Sequence, residues 1–367
     1  MKQEPQFRRS TGTKWGFTCK SALACVALVA AGALGHSAAQ AEGELRVLTW
    51  EGYTDPSFTD QFVAESGCEV SSVFVGSNDE FPAKLIAGGV LYDVISPSLD
   101  TTTIMAKLDL VEPIDLSRLE HWDDIFEVFR NHPSIQIDGV VWAVPNDWGS
   151  IPFLYRTDKF DEPPTSAAVL WDPAYAGKIA VWDDKSALYV TARMLFGADT
   201  NVYDLSDEQL EQIKAKLIEQ KPLIRKYWAT NGELVNLFAN DEVWVANAWE
   251  IAKAPLLEQG IQVEEFIPVE RADGWQDAWQ VVKGTPNLDC VYKWLNFASG
   301  PGGQCGTFLT NDYAGVNPEA LKTCMTPEDF TRLHFDDPGY LDTLDFWVEP
   351  ARVEAYIEAW NAVKAAQ

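Results

Sequence analysis

Short apolar runs alternate with amphipathic segments in the first third of the chain. Apolar runs predict three strands, at 45–50, 70–75 and 92–96. Segments with apolar residues at helical spacing predict helices at 55–66 and 80–87, between those strands. This strand-helix-strand-helix-strand order is typical of a three-layer α/β lobe with a largely parallel sheet.

A second series of the same kind begins after a candidate crossing. The apolar strand 140–144 ends at Pro145, and the polar, glycine-containing stretch 146–150 follows. We interpret this region as a crossing strand that leaves the first lobe. The elements predicted beyond it are strands at 178–182 and 243–247 and helices at 187–196 and 206–220.

The chain is predicted to return to the first lobe through 263–269, because strand character resumes at 278–283. We therefore expect two lobes joined by crossing strands, with a cleft at the carboxyl ends of both sheets. The first lobe would comprise 42–145 and 275–335, the second lobe 146–274, and the C-terminal helical segment 336–367 would pack across both.

The first 41 residues have the order of a secretory signal peptide. Five basic residues precede or flank an apolar run at 21–34, and a small-x-small cleavage site follows at 39–41. The run is shorter than the roughly 17–25 residues of a membrane span. A retained anchor, lipidation at Cys25 and twin-arginine export through Arg8 and Arg9 are the alternatives. The pattern predicts a cleaved leader and a periplasmic protein.

Charge and cysteine content fit that compartment. The chain carries 28 Lys and Arg against 55 Asp and Glu, and cleavage after residue 41 leaves a formal charge of −31. Such a surface excludes nucleic acid and anionic membranes as partners, although it equally suits solubility. Four cysteines remain, an even number that suits up to two disulfides. Three pairings are open, and Cys290 with Cys324 is favoured because both flank one segment near the chain end.

The sequence gives little support for catalysis. The histidines outside the leader, His121, His132 and His334, lack a nucleophile motif such as G-x-S-x-G nearby. The run 300–307 lacks the lysine of a phosphate loop and is interpreted as a helix stop followed by a turn. No acidic pair has metal-loop spacing. We therefore expect no enzyme activity, no metal and no cofactor.

Four segments place an aromatic ring or a carboxylate where a predicted strand ends or crosses. They are residues 50–53, 181–184, 246–250 and 274–277. Indole faces attract an organic cation by about 0.5–2 kcal/mol per well-placed pair. A carboxylate adds charge-assisted hydrogen bonds to an ammonium group. A single tryptophan is more often core than ligand site, but their joint occurrence at strand ends predicts a cleft for a small organic cation.

The chain resembles the polyamine-binding (spermidine/putrescine) proteins of bacterial ABC importers over nearly all of its length. The resemblance is carried by Trp50-x-x-Tyr53, the 92–98 segment Tyr-Asp-Val-Ile-Ser-Pro-Ser, Val144-Pro145 with Trp148-Gly149, Asp183-Asp184, Trp249, Trp275-Gln276-Asp277, and Tyr313 with Asn317-Pro318. It implies a two-lobed periplasmic-binding-protein fold of type II, with mixed, mostly parallel sheets. It also implies a monomer that closes on a cationic amine and delivers it to the permease subunits of an ABC transporter.

The resemblance further implies a role for each candidate site residue. Aromatic walls, hydroxyl contacts and carboxylates for amines would be supplied by Trp50, Tyr53, Ser98, Asp184, Trp249, Trp275, Asp277 and Tyr313. Trp249 and Trp275 would sandwich an alkyl chain, and Asp184 and Asp277 would each meet an ammonium group.

The chain departs from that family pattern at several positions. Gly52 and Ala187 stand where acids are common, Asp100 where an aromatic is common, and Val348 where a glutamine is expected. Fewer acids favour a ligand with fewer or differently spaced amines. A polyamine, a monoamine, a quaternary ammonium compound and an amino acid such as 4-aminobutyrate remain open, as do a sensory binding protein and a secreted enzyme.

Overall fold

The computed structural model describes residues 43–88, 91–337, 339–341 and 344–366 of the 367. The predicted signal peptide, residues 1–41, lies outside this part of the chain.

The strands form two large sheets and one hairpin. In chain order they are β1 (Gly43–Thr49), β2 (Cys68–Phe74), β3 (Val94–Ile95), β4 (Val111–Glu112), β5 (Gln136–Ile137), β6 (Val140–Val141), β7 (Val144–Ser150), β8 (Phe153–Arg156), β9 (Ile179–Trp182), β10 (Ile224–Trp228), β11 (Val245–Asn247), β12 (Val263–Phe266), β13 (Ala272–Val282), β14 (Ala314–Gly315) and β15 (Leu344–Phe346). Within the described ranges, an eight-stranded sheet has the order β14-β7-β13-β3-β1-β2, with β4 and β15 also paired to β13. A five-stranded sheet has the order β10-β9-β11-β8-β12, and β5 pairs with β6.

Helices cover these sheets. They are α1 (Pro56–Ser66), α2 (Glu80–Gly88), α3 (Leu99–Lys107), α4 (Glu127–Arg130), α5 (Ala187–Phe196), α6 (Asp207–Gln220), α7 (Asn231–Ala239), α8 (Lys253–Glu258), α9 (Leu288–Ser299), α10 (Pro301–Asn311), α11 (Pro318–Leu321), α12 (Pro327–Arg332) and α13 (Val353–Ala365). Short 3-10 helices lie at Leu116–Arg118, Trp122–Asp124, Thr157–Lys159, Ala167–Trp171, Pro173–Tyr175, Lys221–Leu223 and Glu250–Ala252. Local capping sets several starts: the Asp55 carboxylate accepts from the Ser57 amide, and Ser206 forms a capping box with Gln209.

The predicted two-lobed α/β architecture with mixed sheets is confirmed, but the sheets are less parallel than expected. β1 is parallel to β2 and β3, and β9 is parallel to β10 and β11. β13, by contrast, runs antiparallel to β3, β4 and β7. The reason is that the crossing strands re-enter the eight-stranded sheet in the opposite direction.

The stretch 146–150, part of the region interpreted as a crossing strand, is the second half of the buried strand β7. The whole of β7 pairs with β13, from Ser150 opposite Gly274 to Val144 opposite Trp279. The polar residues are accommodated because they are hydrogen-bonded inside the protein; for example, the Trp148 indole donates to the Gly315 carbonyl at 3.2 Å. The chain crosses to the five-stranded sheet at 151–152 and returns at 267–271.

The favoured Cys290–Cys324 pairing is wrong. The disulfides join Cys68 to Cys290 and Cys305 to Cys324, with Cα separations of 5.8 and 5.9 Å. Cys68 opens β2, and α9 packs over the neighbouring start of β1, which brings Cys290 beside it. The other bond closes the contact between α10 and the end of α11. Tertiary packing, not closeness in sequence, decides the partners.

The prediction of a helix stop and turn at 300–307 is correct only at Gly300. Gly300 ends α9, but Pro301 then begins α10 at the position where proline suits a helix. Gly306 lies against α1 so closely that an added Cβ would be 2.3 Å from the Phe58 ring. The glycines therefore serve close helix packing as well as a turn.

The C-terminal segment contacts the eight-stranded sheet and a helix that covers the five-stranded sheet. β15 pairs in parallel with β13. α13 packs against α6, and its Trp360 indole donates to Asp183 at 3.1 Å. Tyr356 and Trp360 are buried.

Candidate functional site

A small cavity lies between the two sheets, at the ends of strands from both. Its lining consists of Trp50, Glu51, Tyr53, Ser98, Ile151, Trp182, Trp249, Trp275, Asp277, Tyr313 and Trp347. The cavity volume is about 30 Å³, room for one or two water molecules. Seven of the eight predicted site residues are brought together here, and Asp184 is not among them.

Indole rings form one end of the cavity. Trp50 follows β1, Trp182 ends β9, and Trp249 follows β11. The Trp249 ring centroid is 5.9 Å from that of Trp50 and 5.4 Å from that of Trp182, both in edge-to-face arrangement. Trp347, after β15, stacks on Trp182 at 5.9 Å. Sequence patterns had suggested Trp50 and Trp249; Trp347 comes from a distant segment and was missed.

Trp275 and Tyr313 form another wall. Their ring centroids are 4.7 Å apart at 69°. The Trp275 indole donates to the Ser150 carbonyl at 3.0 Å, a bond that holds the ring between the crossing strands. Such fixed aromatic faces suit the methylene groups and the charge of an organic cation.

Asp277 supplies the carboxylate of the cavity. It lies on β13 and is 4% exposed. It accepts hydrogen bonds from the Ser98 hydroxyl at 2.5 Å and the Tyr53 hydroxyl at 2.6 Å. Burial raises the pKa of Asp277 to about 7, although the two hydroxyl bonds act in the opposite direction.

A second carboxylate, Asp147, stands directly behind the first. Asp147 on β7 is paired in register with Asp277 on β13, so both side chains lie on one face of the sheet. The Tyr53 hydroxyl is 2.9 Å from Asp147 and 2.6 Å from Asp277. Burial, followed by the charge of Asp277, raises the pKa of Asp147 well above its ordinary value. Burial and the neighbouring carboxylate both favour the protonated form of Asp147.

Sequence reasoning missed Asp147. Its segment was interpreted only as part of the crossing strand, and its carboxylate was given no role in the site. The signal that could have found it is the strand pairing itself: once β7 is opposite β13, alternation places Asp147 beside Asp277.

Asp184 lies in a different environment. Its carboxylate accepts from the Ser186 amide at 2.8 Å and from the Asn78 amide at 3.3 Å. The adjacent Lys185 is fully buried and pairs with Asp79 and Asp100. Asp184 is thus held by the protein's own groups instead of facing the cavity.

The departure at Gly52 has a steric cause. Gly52 has φ +91°, a left-handed conformation, and a Cβ there would lie 2.2 Å from the Asn311 side-chain oxygen. The space beside Tyr53 is therefore filled by Asn311, and no acidic side chain can stand at position 52 in this backbone.

A wider groove adjoins the cavity at Ser150. The Ser150 amide and hydroxyl donate to Glu250 at 3.1 and 2.8 Å, while its carbonyl holds Trp275. Burial raises the pKa of Glu250 to about 8, with a further contribution from the charge of Glu265. Glu265 and Asp312 also line the groove, where they pair with Lys253 at 3.6 Å and with Arg332 at 2.6 Å.

Residues 58–333 match the family of bacterial extracellular solute-binding proteins, and the chain belongs to that family. The resemblance inferred from the sequence is thereby confirmed.

Two relatives and one solved structure show how close the match is. The spermidine/putrescine-binding periplasmic protein of Escherichia coli is 28% identical over 309 residues, which are 82% of this chain and 86% of that one. Spermidine/putrescine-binding periplasmic protein 1 of Haemophilus influenzae is 24% identical over 90% of this chain and 91% of its own. The spermidine/putrescine ABC transporter substrate-binding protein of Streptococcus pneumoniae has a TM-score of 0.69 at 22% identity, covering 88% of this chain and 98% of that one. These relatives are binding proteins, and within the described ranges no helix here is long and apolar enough to span a membrane.

Proposed function

We propose that this protein binds a small organic cation of the amine class in the cavity around Asp277 and delivers it to the permease of an ABC transporter. It would act in the periplasm, as a monomer, after removal of residues 1–41. The names of the relatives support the transport role and the ligand class. We propose binding without catalysis, because the arrangement offers a carboxylate and aromatic faces but no nucleophile beside a base.

The observation that carries the proposal is Asp277, a buried carboxylate inside an aromatic box. Taking a carboxylate out of water is costly unless a cation or hydrogen bonds compensate for it. Ser98 and Tyr53 supply hydrogen bonds, but the described residues that line the cavity include no Lys, Arg or His. A ligand ammonium would supply the missing positive charge, and the indole and phenol rings would cover its carbon atoms.

Capture requires the lobes to move. The cavity is small and its lining comes from elements of both sheets, so a ligand would enter while the two sides stand further apart. We propose that β7 and β13 carry the hinge where the chain crosses between the sheets, and that closure brings Trp182 and Trp249 against Trp50. The first lobe would be built on the eight-stranded sheet and the second on the five-stranded one.

Within the amine class, the names of the relatives point to polyamines such as putrescine or spermidine. The aromatic walls favour a quaternary ammonium compound as the second candidate, since it needs ring faces more than hydrogen-bond acceptors. A 4-aminobutyrate-like ligand would bring a carboxylate into a lining without a basic partner. Hand-over of the closed form to a sensory receptor would use the same cavity.

A thermal-shift screen tests the proposal. The purified protein is melted with n-butylamine, putrescine, spermidine, a betaine, 4-aminobutyrate, a sugar and an inorganic anion. A ligand that binds only the folded state raises the melting temperature by mass action. We expect a rise with amines. A rise with the sugar or the anion and none with any amine would refute the proposed ligand class.

A further inference from the structure

Lys185 is a buried ammonium group with carboxylates on several sides. Its side chain is fully buried, and its Nζ lies 3.0 Å from Asp100 and 3.2 Å from Asp79. Asp184 is its neighbour in the chain. Burial alone would lower the pKa of the Lys185 ammonium, but the charges of Asp100, Asp79 and Asp184 outweigh burial and raise it. Lys185 is therefore a permanent internal cation.

The contacts of Lys185 join the two sides of the cleft. Lys185 lies between β9 and α5, which belong to the five-stranded sheet and its cover. Asp79 immediately precedes α2, and Asp100 lies in the first turn of α3, both on the side of the eight-stranded sheet. Lys185 thus bridges the same gap that a ligand in the cavity would bridge.

This cluster is connected to the cavity by a short line of hydrogen bonds. The Asn78 amide donates to Asp184 at 3.3 Å, and the Asn78 side-chain oxygen accepts from the Ser98 amide at 3.0 Å. The Ser98 hydroxyl then donates to Asp277 at 2.5 Å. Two residues, Asn78 and Ser98, therefore connect the carboxylates around Lys185 to Asp277, the carboxylate that faces the cavity.

The carboxylates of the cluster are already engaged. Asp184 accepts from two backbone amides, and Asp100 accepts from the Thr101 hydroxyl at 3.2 Å and contacts Lys185. A second ammonium entering here would meet the Lys185 charge. The other carboxylate of the cavity lining, Glu51, accepts from the Asn231 amide at 3.2 Å. A second ammonium near the indole rings would have to compete with that bond after losing its water, which is costly.

We propose that Lys185 takes the place of a second ligand ammonium, so that the site selects amines with a single cationic centre and discriminates against diamines. This inference rests on the proposed function and specifies the ligand class of the same cavity. Lys185 would be a specificity-determining residue: it does not touch the ligand, but it neutralises carboxylates that are connected to Asp277 through Asn78 and Ser98.

The test compares two ligands that share a four-carbon chain and differ by one ammonium, n-butylamine and putrescine. Affinities are measured by calorimetry for the wild type, Lys185→Met, Lys185→Arg and a control, Lys84→Met, which removes a lysine from a surface pair with Glu80. We expect the wild type to prefer n-butylamine. In Lys185→Met the affinity ratio should move toward putrescine by about tenfold or more, the worth of one charge-assisted hydrogen bond.

The ratio should stay unchanged in Lys185→Arg and Lys84→Met. Lys185→Met leaves buried acids without a cation and can prevent folding. In that case the double variant Lys185→Met/Asp100→Asn, which also removes one of these acids, is measured instead. A wild-type preference for putrescine, or an unchanged ratio in the neutral variants, would refute the role of Lys185 while leaving amine binding intact. A wild type that binds neither amine would instead refute the proposed function.

Discussion

Replacement of Asp277 by Asn should stabilise the ligand-free protein while it removes amine binding. The carboxylate of Asp277 is buried beside Asp147, and its pKa is raised to about 7 from an ordinary value of 3.8. An acid whose pKa is raised by folding destabilises the folded state above its unfolded pKa, and this cost is complete once the pH exceeds the folded pKa. Asn has nearly the same shape and carries no such cost.

The magnitude follows from the two pKa values. At pH 8 the whole interval from 3.8 to about 7 counts, which corresponds to about 4 kcal/mol. At pH 5 only the interval from 3.8 to 5 counts, which corresponds to about 1.5 kcal/mol. For a chain of this size, the gain at pH 8 should raise the melting temperature by about 3–6 °C.

Calorimetric melting of the ligand-free wild type and Asp277→Asn at both pH values measures the effect, with n-butylamine titrations in parallel. Asp289→Asn is the matched control, because Asp289 is exposed and forms only a surface pair with Arg118; it should change stability by less than about 0.5 kcal/mol. If Asp277→Asn is less stable than the wild type at pH 8, or if its gain in stability is the same at both pH values, then the Asp277 carboxylate does not destabilise the ligand-free protein as proposed.

Three further predictions concern the walls and the scaffold. Trp275→Ala should weaken n-butylamine binding by about tenfold or more, and Trp275→Phe by less, since phenylalanine keeps a ring face; equal losses in calorimetry would argue against a cation-π wall. Gly52→Ala should lower the melting temperature more than Gly177→Ala, because both have positive φ but only position 52 lacks space, and equal effects would leave the steric account without support. Replacing Cys68 and Cys290 by serine should cost about 5 kcal/mol in denaturant unfolding, against about 3 kcal/mol for the other disulfide, whose separation is 19 residues instead of 222; the reverse order would contradict the loop-entropy account.

Local signals predicted the elements of the fold well where one segment determines its own state. The helix predicted at 187–196 has those bounds, and the helix at 206–220 differs only in that Ser206 is its cap. The signals failed where distant segments decide. The run 300–307, for example, is helical because the glycines of α10 fit against α1 and α9.

The same distinction applies to the candidate site. Residues at the ends of strands, such as Trp50 and Trp249, were predictable because strand ends of open α/β sheets meet at one cleft. Lys185 was not, because a lysine beside two aspartates in a loop is ordinarily solvated. Only the approach of Asp79 and Asp100 from the opposite side of the cleft makes it a buried, paired group.

The path of the chain through the two sheets also favours an order of assembly during folding. All strands of the five-stranded sheet lie between Phe153 and Phe266, one continuous stretch. The eight-stranded sheet instead needs β13 beside β3. Its Cys68 forms a disulfide with Cys290, which lies 222 residues later in the chain. The middle of the chain can therefore fold first. The sheet formed by β1, β2 and β3 has an unpaired edge at β3 until β13 pairs with it. During that interval the exposed edge of β3 is the part of the molecule most open to aggregation or to a chaperone.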